Sequence, residues 1–138
     1  MSTRSKLKAL LTVILSSGVL IATSAKAERV FHCHSEMATG FFKENGDWRE
    51  GNFKNKKFTI RFSDDYTKVY GLKLGGFKCS VPYPEQAPDT IACLAGYGRA
   101  FLFEKKKFRF TFSAMNATGF LENGSDTDVF YAGACEKF

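Results

Sequence analysis

Two histidines in this chain have the spacing that a metal site on a β-strand requires. His32 and His34 lie on either side of Cys33, and side chains two residues apart on a strand point to the same side of the sheet. With Glu36 next on that face, the pair is a candidate edge of a zinc or copper site. The alternative is that Cys33 points into the core and both histidines are surface residues. They are the only histidines in the chain, and we predict neither a metal nor another cofactor.

Two further groups of residues could do chemistry, and each has a structural interpretation. The basic run 105–107 leads into Phe108-Arg109-Phe110, a mixture that can bind single-stranded nucleic acid or can cap a hairpin whose phenylalanines face the core. The acid pairs Asp64-Asp65 and Asp126 with Asp128 have the residue type of a glycosidase pair, but they lie in turn-like sequence. The chain has no G-x-S-x-G, H-E-x-x-H or phosphate-loop motif. We predict neither an enzyme nor a nucleic-acid-binding protein.

Residues 1–27 have the pattern of a cleavable signal peptide. Three basic residues precede an almost wholly apolar stretch over 9–22, and Ala25-Lys26-Ala27 is a small-x-small cleavage site. The alternative, a membrane anchor, needs about 20 apolar residues. We predict a signal peptide over 1–27 and a single mature domain over 28–138, periplasmic or secreted, with no membrane span after cleavage. Cleavage removes four basic side chains and lowers the formal net charge from +6 to +2, so the basic precursor does not indicate nucleic-acid binding.

The four cysteines, Cys33, Cys79, Cys93 and Cys135, all lie in the predicted mature domain. An even number in a short exported chain indicates disulfides, and no two have the C-x-x-C spacing of a zinc site. Three pairings are open. We favour Cys33–Cys135 with Cys79–Cys93, because the three prolines over 82–88 indicate an irregular hairpin end between the inner two. No thiol nucleophile then remains.

The elements that must position these residues are strands. Phe58, Ile60 and Phe62 alternate with Thr59 and Arg61, and the same period of two recurs later in the chain. We predict an all-β domain in which about eight antiparallel strands form a meander that closes into a small barrel, because closure removes exposed edges. The first and last strands are then neighbours, as the outer disulfide requires. The predicted strands are 29–43, 48–53, 56–63, 66–74, 77–81, 90–95, 99–104, 107–114 and 127–135.

Candidate partner-binding residues lie in the loops between the predicted strands. Tyr97 and Arg99 belong to the sequence Gly96-Tyr97-Gly98-Arg99, and Asn45 and Asn123 each begin an Asn-Gly turn. Loops on a rigid scaffold often carry function, and tyrosine and arginine often dominate interfaces. The alternative is that Tyr97 folds back to cover one end of the barrel.

The chain resembles small four-cysteine periplasmic proteins of bacteria. The resemblance depends on the signal sequence, Cys33 followed by Ala38-Thr39-Gly40-Phe41, Trp48, the central cysteine pair and the end at Cys135-Glu136-Lys137-Phe138. It implies no known activity. More distantly, a cysteine in the first strand and another near the carboxyl terminus make the chain similar to periplasmic inhibitors of c-type lysozyme. That similarity implies an eight-stranded barrel, but their Ser-Gly-x-x-Tyr loop is absent, and Ala95-Gly96-Tyr97-Gly98 is the nearest sequence.

These observations predict an exported, monomeric, non-enzymatic binding or inhibitory module of the bacterial cell envelope. Its expected partner is an envelope protein or an anionic envelope polymer. The main alternative is a carrier that holds a small apolar ligand inside the barrel, since eight strands enclose either packed side chains or one small ligand. Fifteen phenylalanines favour a filled interior. A small hydrolytic enzyme is the last alternative.

Overall fold

The chain folds into nine β-strands and forms no α-helix in the part that the structure describes. This computed structural model describes residues 29–73, 75–96, 98–115 and 127–138, so the predicted signal peptide lies outside it. No helix long and apolar enough to span a membrane occurs in these ranges. The strands are β1 (Val30–Glu44), β2 (Asp47–Asn52), β3 (Lys57–Phe62), β4 (Val69–Tyr70), β5 (Lys78–Ser80), β6 (Thr90–Ala95), β7 (Arg99–Glu104), β8 (Arg109–Met115) and β9 (Thr127–Lys137).

The nine strands occupy eight positions around a barrel. β2 and β3 lie one after the other along the same side of the long β1, and the sheet runs β4-β3-β1-β9-β8-β7-β6-β5. All pairs are antiparallel, and the first strand lies beside the last. β4 and β5 are joined by the bridge Lys68–Lys78 and by a 2.8 Å bond from Cys79 N to Thr67 O. The predicted eight-stranded meander, nearly closed into a barrel, is confirmed.

Both predicted disulfides are confirmed. Cys33 of β1 lies directly opposite Cys135 of β9, and Cys79 of β5 lies opposite Cys93 of β6, each with a Cα–Cα distance of 3.9 Å. All four cysteines of the chain are therefore paired and buried. Disulfides persist in oxidising surroundings, so this pairing indicates an oxidising compartment outside the cytosol.

The fourth strand is much shorter than the predicted 66–74. The Asp65 carboxylate accepts bonds from the Ser63 hydroxyl at 2.7 Å and the Thr67 amide at 3.0 Å, so the turn continues to Thr67. These bonds, with that of Ser63 the largest cause, hold the pKa of Asp65 well below its usual range. Gly71 then ends the strand with a φ of 93°, where a Cβ would lie 2.1 Å from the Thr59 carbonyl oxygen.

Phenylalanines fill the lower part of the barrel, at the end where β1 and β8 begin. Phe101 and Phe103 of β7 are fully buried there. Tyr66 and Phe108 close this end, and both have left-handed backbones, with φ of 57° and 52°. Such a conformation is rare for bulky residues and persists where packing holds it. The Phe108 ring packs 5.6 Å from that of Phe31, so the lower end is closed as the phenylalanine content predicts.

Candidate functional site

The upper end of the barrel, where β6 ends and β9 begins, holds an open pocket of about 760 Å³, here called the mouth pocket. Inward positions at this end are occupied by small or β-branched residues, Ala95, Ala114 and Val129, instead of the phenylalanines found lower down. The sequence therefore fills one end of the barrel and leaves space at the other. Pockets of about 300–1,000 Å³ with mainly apolar walls are typical of small-molecule sites. The apolar and aromatic lining residues are Phe53, Phe58, Leu72, Phe112, Ala114, Val129 and Tyr131.

Basic side chains surround this apolar lining. No acidic side chain lines the mouth pocket within the described residues, although the predicted mature domain carries 14 acids against 16 basic residues. A cleft lined by one sign of charge and by low-dielectric walls focuses the electric field and attracts opposite charge. The described lining of the pocket is therefore positive. Its five cationic residues are Lys54, Lys56, Lys57, Lys73 and Arg99.

A short irregular segment between β2 and β3 holds Lys56 over the pocket wall. The Lys56 amide donates a 2.7 Å bond to the buried Ser35 hydroxyl, and the Ser35 amide donates a 2.9 Å bond to the Lys56 carbonyl. A β-bulge in β1 between Ser35 and Met37 faces this segment. The Lys56 ammonium lies 4.9 Å from the centroid of the Tyr131 ring, within the range of a cation–π contact. The bulge and the Ser35 hydroxyl thus position a cation beside a buried tyrosine.

Arg99 supplies a cation inside the barrel instead of at its rim. It is the first residue of β7 and is only 8% exposed. Its Nε donates a 2.9 Å bond to the Gly96 carbonyl, and its guanidinium carbon lies 5.8 Å from the Phe77 ring centroid. These contacts fix the guanidinium next to the pocket lining, where low dielectric strengthens its field.

No protein-family model, curated protein or solved structure matches the chain. Its described residues form a mouth pocket with apolar walls, lysines at the rim and the buried Arg99.

The two histidines lie on the outer face of β1, away from the mouth pocket. His32 Nδ1 is 2.8 Å from the Thr59 hydroxyl, and His34 Nε2 is 4.0 Å from the Glu36 carboxylate. Arg109 donates two bonds of 2.8 and 2.7 Å to Glu36 and holds the pKa of that carboxyl below its usual range. In the described ranges no group of three or more His, Cys, Asp or Glu side chains is arranged to hold a metal ion.

The lysine run 105–107 forms the turn between β7 and β8 at the lower end. Phe110 is buried behind it, as in the hairpin-cap interpretation of this run. Two cations lie near the centroid of the Tyr66 ring, the Arg29 guanidinium carbon at 4.2 Å and the Lys105 ammonium at 5.6 Å. A smaller surface cavity here includes Asp64, so this end lacks the uniform charge of the mouth pocket.

Of the two predicted partner-binding residues that lie in the described ranges, one belongs to the mouth pocket. Arg99 lines it, whereas Asn45 lies at the tip of the β1–β2 hairpin, with a left-handed φ of 54° as an Asn-Gly turn requires. Tyr97 and Asn123 lie outside the described residues. Whether any of the four contacts a macromolecule stays a prediction.

Three large rings are exposed on the outer face of β1, β2 and β9 towards the upper end. Phe41 is 47% exposed, Trp48 44% and Phe130 41%. Glu50 and Asp128 are the register partners of Phe41 on its two sides. This face is therefore mixed in charge and apolar character.

The sequence interpretation missed the lysines of the mouth pocket. Lys54, Lys56 and Lys57 form a visible basic cluster at the junction of two predicted strands, and that cluster was an available signal. Its position over Tyr131 depends on the bulge in β1. Alternation alone gives no indication of such a bulge. It shows on which face of the sheet a side chain lies, but not how far along the barrel axis the residue lies.

Proposed function

We propose that the protein is exported by cleavage after Ala27 and binds a small molecule in the mouth pocket, in the periplasm or outside the cell. The pattern over residues 1–27 and the two disulfides support export. Of the binding functions that the sequence predicts, the pocket favours the carrier, which holds a ligand inside the barrel without transforming it.

One observation carries this proposal: an open cavity of about 760 Å³ in a barrel whose other end is packed with phenylalanine. An open recess of this size with mainly apolar walls is typical of sites that bind small molecules. Apolar ligand surface gains about 25 cal/mol for each Å² removed from water. The rings of Phe58, Phe112 and Tyr131 offer such a surface.

Export predicts a defined amino terminus. Material recovered from the periplasm or the medium of a producing bacterium should begin at Glu28, because Ala25-Lys26-Ala27 is the cleavage site. Amino-terminal sequencing and intact-mass measurement check this. An intact Met1 in the recovered protein would contradict it.

The mature chain should bind a neutral apolar probe at the mouth pocket. N-phenyl-1-naphthylamine becomes fluorescent in apolar surroundings, and titration should show one saturable site. Ala114→Phe places a ring into the pocket and should weaken probe binding by at least about tenfold, which corresponds to about 1.4 kcal/mol. Ala114 lines the pocket and is only partly buried, so the added ring has room.

Ala100→Phe is the matched control, because Ala100 lies on the outer face of β7 and does not line the pocket. It should leave probe affinity unchanged. Thermal unfolding of both variants establishes that each is folded. Equal probe affinity in the wild type and in folded Ala114→Phe would contradict binding at this pocket.

A further inference from the structure

The three exposed rings on the outer face of the sheet form a diagonal row across three strands. Phe41 of β1 lies opposite Glu50 of β2 and Asp128 of β9. On β2, Trp48 is two residues above Glu50, and on β9, Phe130 is two residues below Asp128. Diagonal neighbours on one face of a sheet lie about 7–8 Å apart, so the row is about 15 Å long. We call this row, Trp48-Phe41-Phe130, the aromatic stripe, and none of its rings lines the mouth pocket.

Carboxylates lie on both sides of the central ring of the stripe. Opposed residues of an antiparallel pair place their side chains on one face, so Glu50 and Asp128 flank Phe41 there. Oδ1 of Asp128 is buried and makes no hydrogen bond with any described residue. Buried acceptors normally have a donor, and the Cβ–Cγ torsion of aspartate is broad enough to turn either oxygen outward. The Lys43 ammonium lies 5.5 Å from the centroid of the Trp48 ring, at the upper end of the stripe.

These charges argue against three common occupants of an exposed aromatic surface. The core of a protein interface is depleted of charged residues, and here it would bury Glu50 and Asp128 beside the central ring, which is costly without partners for them. An anionic polymer or an anionic lipid surface would be repelled by the same two carboxylates. A neutral ligand with many hydroxyl groups avoids these costs, because a hydroxyl donates a charge-assisted hydrogen bond to a carboxylate.

A chain of sugar rings has both of the chemical parts that the stripe requires. The C–H groups on the face of a sugar ring are weakly positive and pack against the negative face of an aromatic ring. The hydroxyl groups at the edge of the same sugar ring point sideways, towards acceptors such as Glu50 and Asp128. In an extended linkage these faces repeat along a line, as the three aromatic rings do.

We propose that the aromatic stripe binds a neutral, extended glycan chain. Its sugar rings stack on Trp48, Phe41 and Phe130, and its hydroxyls donate to Glu50 and Asp128. This site is distinct from the mouth pocket, whose described lining contains none of these five residues. The inference therefore does not depend on the small-molecule binding proposed for that pocket.

Trp48 is the single tryptophan of the chain, so its fluorescence reports directly on the stripe. Cellohexaose and chitohexaose are titrated separately into the mature protein. At least one of them should shift the emission saturably to shorter wavelength, because a stacked sugar ring removes water from the indole. The disaccharide of that series should bind at least about tenfold more weakly, since it leaves part of the stripe uncovered. No saturable change with either hexasaccharide would overturn the proposal, and would leave the proposed binding at the mouth pocket unaffected.

Phe41→Ala tests the position of the glycan, because it removes the central ring and keeps Trp48 as the reporter. It should weaken hexasaccharide binding at least about tenfold, as loss of a central aromatic contact does. Tyr70→Ala is the matched control, since Tyr70 is an aromatic of β4 that is 46% exposed, against 47% for Phe41. Phe130→Ala should also weaken binding, and thermal unfolding establishes that each variant is folded. Equal affinities in Phe41→Ala and Tyr70→Ala would overturn the assignment of the stripe.

Glu50→Gln tests the role of the carboxylates. It should weaken hexasaccharide binding about fivefold, the difference between a charge-assisted and a neutral hydrogen bond. Dextran sulfate and phosphatidylglycerol vesicles, titrated in the same way, should leave the emission of the wild type unchanged. Saturable binding of either anionic probe that becomes tighter in Glu50→Gln would show that the stripe is a site for anions, and would overturn the assignment of a neutral glycan.

Discussion

Replacing both Cys33 and Cys135 by alanine is expected to lower the free energy of unfolding by about 4.7 kcal/mol, against about 3 kcal/mol for the Cys79 and Cys93 pair. The difference follows from the sequence separations, which are 102 and 14 residues. A longer closed loop removes more conformational entropy from the unfolded chain. The outer disulfide also joins β1 to β9, the two strands farthest apart in the sequence.

Urea unfolding of the mature protein and of the two double-alanine variants, without reductant, measures both changes. The inner pair is the matched comparison, because both disulfides link directly opposed residues that are buried in the barrel. A larger loss in the free energy of unfolding on replacing Cys79 and Cys93 than on replacing Cys33 and Cys135 would contradict this prediction.

Phe101→Ala is expected to destabilise the barrel by about 3–5 kcal/mol, the range for removing a buried aromatic ring. Phe101 is 0% exposed, and its ring centroid lies 5.8 Å from that of Phe110 and 6.2 Å from that of Phe112. Alanine would leave a cavity among rings that are held on different strands and can close it only in part.

Leu102→Ala is the control on the same strand, because Leu102 points outward and is 41% exposed. Leu102→Ala should lower the free energy of unfolding by less than about 1 kcal/mol, as surface substitutions do. Denaturant unfolding of both variants checks the pair. Similar losses for Phe101→Ala and Leu102→Ala would mean that β7 is not oriented with Phe101 inward.

The strands were predictable because one face of each is buried and the other is exposed to solvent, which makes apolar and polar residues alternate. Phe58, Ile60 and Phe62 fix that period in β3, and each of the nine predicted strands has a counterpart in the structure. The fourth was the most overextended, because the hydrogen bonds of Asp65 and the left-handed Gly71 shorten it from both ends. The outer disulfide agrees with the closure that the meander implies, and the inner one with the prolines between Cys79 and Cys93.

The mouth pocket was less predictable, because it depends on which inward-facing residues of different strands lie at the same height along the barrel axis. Ala114 and Val129 face each other only in the observed register of β8 and β9. The bulge between Ser35 and Met37 then brings Lys56 over Tyr131. Neither register nor bulge follows from the alternation of residue types. The signals in the sequence were the small residues near the strand ends and the lysine cluster of Lys54, Lys56 and Lys57.

Mapping the neutral probe on the mature protein tests the central claim most directly. Backbone amide resonances of the isotope-labelled mature chain, titrated with N-phenyl-1-naphthylamine, report where the ligand lies. Shifts are expected to be concentrated at Phe58, Leu72, Ala114 and Val129 around the mouth pocket, with little change at Phe108 in the closed lower end. Shifts centred on the lower end or on the outer face of the sheet, with the mouth pocket unchanged, would contradict it.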